Sequence, residues 1–168
     1  MLVFGTDHRG MSVCAGVAPG RVNREVGTLS AVLLPYAPAS VATARWQLAA
    51  DLREAGIAET AIGDAALVMS ELLSNAIRHA RPLPGACVRV AWELTGDSLE
   101  VSVEDGGATT RPRASHPSLS SLGGRGLAIV EHLSTNWGVK TSDGTTVWAI
   151  LEVPGPTPTP ATAAARGG

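Results

Sequence analysis

The chain has 168 residues and a formal net charge of -2, a length suited to one domain with one core, without the basic surplus that nucleic-acid binders carry. Hydrophobic residues make up 45% and charged residues 17%, a soluble globular balance, and no apolar run reaches the roughly 18 residues that span a bilayer. Two cysteines, Cys14 and Cys87, form neither a CxxC pair nor a Cys/His cluster. That gives no zinc site and fits free thiols in a reducing cytoplasm.

Residues 1–27 show no firm period and are expected to form a flexible leader. Asp7, His8, Arg9 and Arg21 break its apolar stretches, so it does not read as a signal peptide. Residues 29–36 form a short apolar run bounded by Pro35 and Pro38, expected as an edge strand. Ser40 reads as the N-cap of a helix in which Val41, Ala44, Leu48 and Leu52 recur at three- and four-residue spacing, and Gly56 ends it. A second helix is expected over residues 60–80, with Val68, Leu72 and Ala76 as its apolar stripe and Pro82 and Pro84 closing it.

Val88, Val90, Trp92 and Leu94 then alternate with Arg89, Ala91 and Glu93. After the turn residues Thr95-Gly96-Asp97-Ser98, Leu99, Val101 and Val103 alternate with Ser102 and Glu104, which predicts a β-hairpin with one buried face. Residues 106–124 are rich in Gly, Ser, Pro and Arg and read as a loop. A short helix is expected over 127–133, and a second hairpin joins 138–140 to 145–153 across Asp143-Gly144. From Pro154 the composition is that of a disordered tail. The order predicts an α+β fold, a two-layer sandwich with helices on one face of a mainly antiparallel sheet, and a working domain over residues 28–153. Trp46, Trp92, Trp137 and Trp148 are expected to pack in or against the core.

Four features carry potential chemistry. Glu71, Asn75 and His79 lie at i, i+4 and i+8 on one helical stripe. A carboxamide oxygen there could serve Mg²⁺ together with phosphate oxygens, with Glu71 orienting or deprotonating a nucleophile; a solvated helix face gives the same pattern. Asp105-Gly106-Gly107 follows a strand end, where an acid could accept a bond from an adenine amino group and glycines admit a flat ring; an ordinary turn gives that pattern too. Gly123-Gly124-Arg125-Gly126 opens a helix, an arrangement that binds phosphate through exposed N–H groups, though it is neither a Walker loop nor a dinucleotide loop. Asp143-Gly144-Thr145-Thr146 enters the last strand and says little alone.

In this order within one domain, the four features resemble the ATP-binding domain of the GHKL superfamily, which includes gyrase-type ATPases, histidine kinases, a heat-shock chaperone and a mismatch-repair ATPase. The chain is most similar to the compact branch of anti-sigma-factor serine/threonine kinases, over about residues 38–151. The resemblance implies Mg²⁺ on Asn75, Glu71 as general base, and Arg125 at the γ-phosphate. It implies Asp105 at the adenine amino group with Gly107 shaping the pocket, Gly124 and Gly126 along the triphosphate, and Thr146 assisting the adenine. Arg78 and Leu127, beside these motifs, join the implied nucleotide contacts. The chain departs from the family where Thr109 replaces a glycine, where the lid over 108–122 is short and rich in Pro and Ser, and where Gly144-Thr145-Thr146 lacks a lysine.

The implied function is a cytoplasmic Mg-ATP-dependent protein kinase that phosphorylates an anti-sigma-factor antagonist and sequesters a sigma factor, with a homodimer expected by analogy and no nucleic acid or membrane as partner. The alternatives are a non-catalytic, nucleotide-dependent interaction switch and an α+β domain that binds no nucleotide. His79 and His132 are not read as phosphoacceptors, since no separate helix pair presents them.

Overall fold

A computed structural model describes residues 5–6, 12–13, 20–24, 27–107 and 124–154. Among these, the elements in chain order are β1 (Gly5–Thr6), β2 (Ser12–Val13), β3 (Gly20–Arg24), β4 (Gly27–Pro35), α1 (Ala39–Glu54), α2 (Glu59–His79), β5 (Cys87–Thr95), β6 (Ser98–Asp105), α3 (Gly124–Leu133), β7 (Asn136–Thr141) and β8 (Thr145–Glu152). The expected loop and lid over 108–123 and the tail from 155 lie outside the described residues.

Strands β3 to β8 form one six-stranded sheet in the order β3-β4-β5-β6-β8-β7, with every pair antiparallel. The helices supply the second layer, so the expected α+β sandwich is the fold. Its core follows from alternation. On β6 the buried residues are Leu99, Val101, Val103 and Asp105, and their intervening neighbours are less buried. Val88, Val90 and Trp92 do the same on β5. These side chains meet Leu48 and Leu52 of α1 and the long stripe of α2 from Ile62 to Ala76. Burying a side chain of this size stabilises the fold by about 1.5–3 kcal/mol.

Helix α1 ends in a left-handed cap. Gly56 has φ +79°, the Gly56 N–H donates to the Arg53 carbonyl, and the Ile57 N–H donates to the Leu52 carbonyl. Ile57 and Leu52 are both buried, the apolar contact that accompanies this cap. A half-buried polar clasp ties α1 to the sheet. The Ser30 hydroxyl and the Trp92 indole N–H both donate to Asp51 Oδ2, at 2.8 and 3.1 Å.

Several expectations are corrected here. Residues 29–36 are not at an edge: β4 lies between β3 and β5, because β3 covers its outer side. Ser40 is not an N-cap. It sits inside the first turn of α1, where its buried hydroxyl donates to the Pro35 carbonyl at 2.6 Å. Trp46 does not pack in the core but stands 72% exposed on α1, whereas Trp92 is buried and Trp137 and Trp148 are half-buried. Trp148 lies over Gly138, where a Cβ would collide with its ring, and the Lys140 ammonium stands 5.7 Å from the ring centroid. Cys87 is disulfide-bonded rather than a free thiol; Cys14 lies outside the described residues. No described helix is long and apolar enough to cross a membrane.

Candidate functional site

Helix α2 carries one half of the site. Its buried stripe faces the sheet, which leaves Glu71 and Asn75 half-buried on an adjoining stripe. The start of α3 presses against this stripe. A Cβ added to Gly126 would overlap Glu71 Oε2 and stand 3.7 Å from Asn75 Nδ2. Glycine lets the α3 backbone approach with the Glu71 side chain in this position, and it brings the positive end of the helix toward the carboxylate. Asn75 Nδ2 is buried and has no hydrogen-bond partner. A half-turn of the carboxamide exchanges its nitrogen and oxygen, so this pocket holds either an unmatched donor or an unmatched oxygen.

The end of β6 carries the other half. Asp105 is buried, and its Oδ1 accepts the Gly107 N–H at 2.8 Å. Burial pushes its pKa up to about 6, against the pull of the Gly107 N–H, and the neighbouring charge of Glu104 adds to the rise. Gly107 has φ +82°, a conformation that favours glycine. Gly144 crosses the Asp105 carbonyl so tightly that any Cβ would overlap that oxygen.

The two halves are joined by backbone. The Arg81 N–H donates to the Gly107 carbonyl at 2.9 Å, and the Gly106 N–H donates to the Arg81 carbonyl at 2.8 Å. Gly106 is therefore needed for packing, since its Cβ would strike the Pro82 carbonyl. The Tyr36 hydroxyl lies 2.6 Å from the carbonyl oxygens of both Ala76 and Ala80 and closes the end of α2. Burial raises the pKa of Tyr36, and the charge of Asp105 raises it further.

Of the expected site residues, Glu71, Asn75 and Gly126 come together, as do Asp105 and Gly107. Gly124 is the first residue of α3. The Arg125 side chain lies outside what is described. Arg78 is exposed near the end of α2. Two placements differ from expectation. Leu127 is 2% exposed and belongs to the apolar core, because the first turn of α3 turns it inward. Thr146 pairs with Glu104 and so lies on the sheet face away from Asp105; the threonine opposite Asp105 is Thr145, whose Oγ1 is 3.8 Å from a Cβ built on Gly107. Sequence reasoning also passed over Tyr36, whose signal, an aromatic after a strand-ending proline, is too general to mark a site.

Two cavities lie elsewhere. One of about 200 Å³ is lined by Asp51, Trp92 and neighbours, and one of about 510 Å³ by Thr95, Asp97 and Glu152 at the opposite end of β6. Neither contains a candidate residue. The candidate residues instead form two groups, Glu71, Asn75 and Gly126 in one and Asp105, Gly107 and Thr145 in the other, linked through the backbone of Arg81.

Residues 34–151 match the histidine kinase-like ATPase domain. The chain belongs to this family. As a histidine kinase-like ATPase domain it is 28% identical to the serine-protein kinase RsbW of Listeria innocua serovar 6a over 126 residues, 68% of this chain and 80% of that protein. Its fold is also that of the crystal structure of the RsbU and RsbW domains of Rv1364c from Mycobacterium tuberculosis, with a TM-score of 0.56 and 24% identity. That match covers 73% of this chain and 32% of the other, so the chain spans about a third of that protein.

Proposed function

We propose that this histidine kinase-like ATPase domain binds Mg-ATP and transfers the γ-phosphoryl group to a serine or threonine of a partner protein, an anti-sigma-factor antagonist, and that it restrains a sigma factor in turn. The observation that carries the reading is the contact of Gly126 with Glu71 and Asn75. It joins a helix start suited to phosphate, a carboxylate suited to a proton, and an unmatched carboxamide.

Asp105 accepts a hydrogen bond from the exocyclic amino group of adenine, and Gly107 leaves room for the ring. The Gly124–Gly126 backbone and Arg125 hold the triphosphate. The described residues include no cluster of three His, Cys, Asp or Glu that could hold a metal. Mg²⁺ keeps waters and phosphate oxygens, and the unmatched carboxamide of Asn75 would supply its one side-chain oxygen here. When bound, Mg²⁺ neutralises charge on the phosphates. Glu71 takes the proton of the partner hydroxyl as its oxygen attacks the γ-phosphorus. The bond from phosphorus to the β-phosphate bridging oxygen breaks, and ADP leaves with that electron pair.

Labelled ATP incubated with candidate antagonist proteins tests the reading, with Glu71→Ala beside wild type. Transfer in wild type and its loss in the variant, with ATP binding intact, is the expected result. ATP binding without transfer to any antagonist, and cellular function that survives Glu71→Ala, supports the interaction switch in place of the kinase. The cytoplasm and a homodimer remain part of the proposal, tested by fractionation and by solution mass.

A further inference from the structure

We infer that Tyr36 is a positioning residue for base recognition, holding the end of α2 so that Asp105 is aimed at the six-position of a purine. The inference rests on the nucleotide reading above and assigns to it a residue that lies outside every motif considered so far.

The path is short and continuous. Tyr36 stands at the junction of β4 and α1, and its N–H donates to the Ala86 carbonyl at 2.9 Å, which fixes its backbone to the segment leading into β5. Its hydroxyl reaches across to Ala76 and Ala80. Ala80 has left helical geometry, with φ -111° and ψ -177°, so its carbonyl has no acceptor role within the helix. The next residue, Arg81, exchanges two backbone hydrogen bonds with Gly106 and Gly107. The Gly107 N–H then grips Asp105 Oδ1. Three links thus run from the phenol to the carboxylate. Ala76 is also the residue after Asn75, so the same hydroxyl braces the helix beside the proposed metal ligand. A phenylalanine at position 36 would keep the ring and its packing but remove the one hydroxyl proton the two carbonyls share; Ala76 would keep the Ala80 N–H, and Ala80 would lose its donor.

Recognition of a 6-amino purine demands an acceptor in one place. Inosine triphosphate carries a carbonyl at that position, so it offers Asp105 no donor there and reports binding without the amino-group bond. The experiment is calorimetric titration of wild type, Tyr36→Phe and Arg81→Pro with Mg-ATP and Mg-ITP, each variant checked for a cooperative thermal transition. Arg81→Pro removes the N–H that holds Gly107 and leaves Tyr36 in place, and the extended Ala80 accommodates a following proline.

Wild type is expected to prefer ATP. In both variants the ATP affinity should fall about tenfold while the ITP affinity stays within about twofold, the size of one aligned hydrogen bond. Equal losses for the two nucleotides in Tyr36→Phe would mean a merely structural residue and would overturn the inference, as would an unchanged ATP preference in both variants. Wild type that binds neither nucleotide would remove the nucleotide reading itself and the inference with it. Wild type that binds both equally would remove the role of Asp105 and overturn the inference, and would leave the nucleotide reading standing.

Discussion

Asp105 and Thr145 face each other across the last rung of the β6–β8 ladder, with Gly144 laid over the Asp105 carbonyl. A buried carboxylate is therefore enclosed by an N–H from Gly107 on one side and a neighbouring strand on the other. This rung is costly to the folded chain and useful to the proposed ligand.

The cost has a pH signature. The pKa of Asp105 rises from 3.8 to about 6 on folding. Between those values the folded chain keeps a proton that the unfolded chain has released, so stability falls as pH rises through that window and is level above it. The full cost is about 2–3 kcal/mol. Asp105→Asn should stabilise the protein at pH 7 by up to that amount, with the advantage closing as pH approaches 4, read from urea unfolding at several pH values. Mg-ATP affinity should move the other way and weaken as pH falls through about 6, because an ionised carboxylate accepts the bond from the adenine amino group more strongly than a protonated one.

Gly126→Ala separates stability from chemistry. The added methyl meets the far end of a flexible side chain, which can swing aside, and alanine favours the helix by up to about 1 kcal/mol. The thermal midpoint should stay close to that of wild type. Glu71 is displaced by the methyl, so phosphoryl transfer should fall by at least about tenfold in the labelled-ATP assay.

Gly144→Ala should behave in the opposite way. Its methyl meets a backbone carbonyl, which cannot rotate out of the way, so the β7–β8 turn must move from the end of β6. A loss of about 1–3 kcal/mol is expected from the denaturation midpoint. Nucleotide affinity should drop with it, since Asp105 moves too.

Much of this was readable from the chain alone. Helix α2 is long and strongly periodic, and the alternation in 88–103 fixes both strands of the first hairpin. The glycines and acids of the site stand out by type and order. What escaped depends on partners distant in sequence. Strand β3 has no apolar alternation to separate it from a leader, and without it β4 looks like an edge. The choice between Thr145 and Thr146 turns on a single residue of register, and strand period makes one step a change of face. Tyr36 finds its acceptors 40 and 44 residues later, beyond any local pattern.

Asn75→Ala addresses the metal. The wild-type carboxamide leaves a buried polar atom unmatched, which costs about 1–3 kcal/mol. Removing it offsets much of the packing lost with the side chain, so apo stability should change by less than about 1 kcal/mol. Mg²⁺-dependent enhancement of ATP binding should disappear, measured by titrating nucleotide with and without the ion. A variant that keeps the enhancement would move the metal off Asn75.

Helix α2 reaches from Glu71, at the proposed phosphate end, to the junction with Arg81, which holds the base-recognising turn. At about 1.5 Å of rise per residue, its helical part, residues 71–79, is a rod of roughly 12 Å whose length is set by its own hydrogen bonds. It acts as a gauge. With the proposed contacts, a nucleotide one phosphate too short would satisfy Asp105 or Gly126 but not both, because the rod cannot shrink. Discrimination between ATP and ADP would then come from a fixed separation between two contacts.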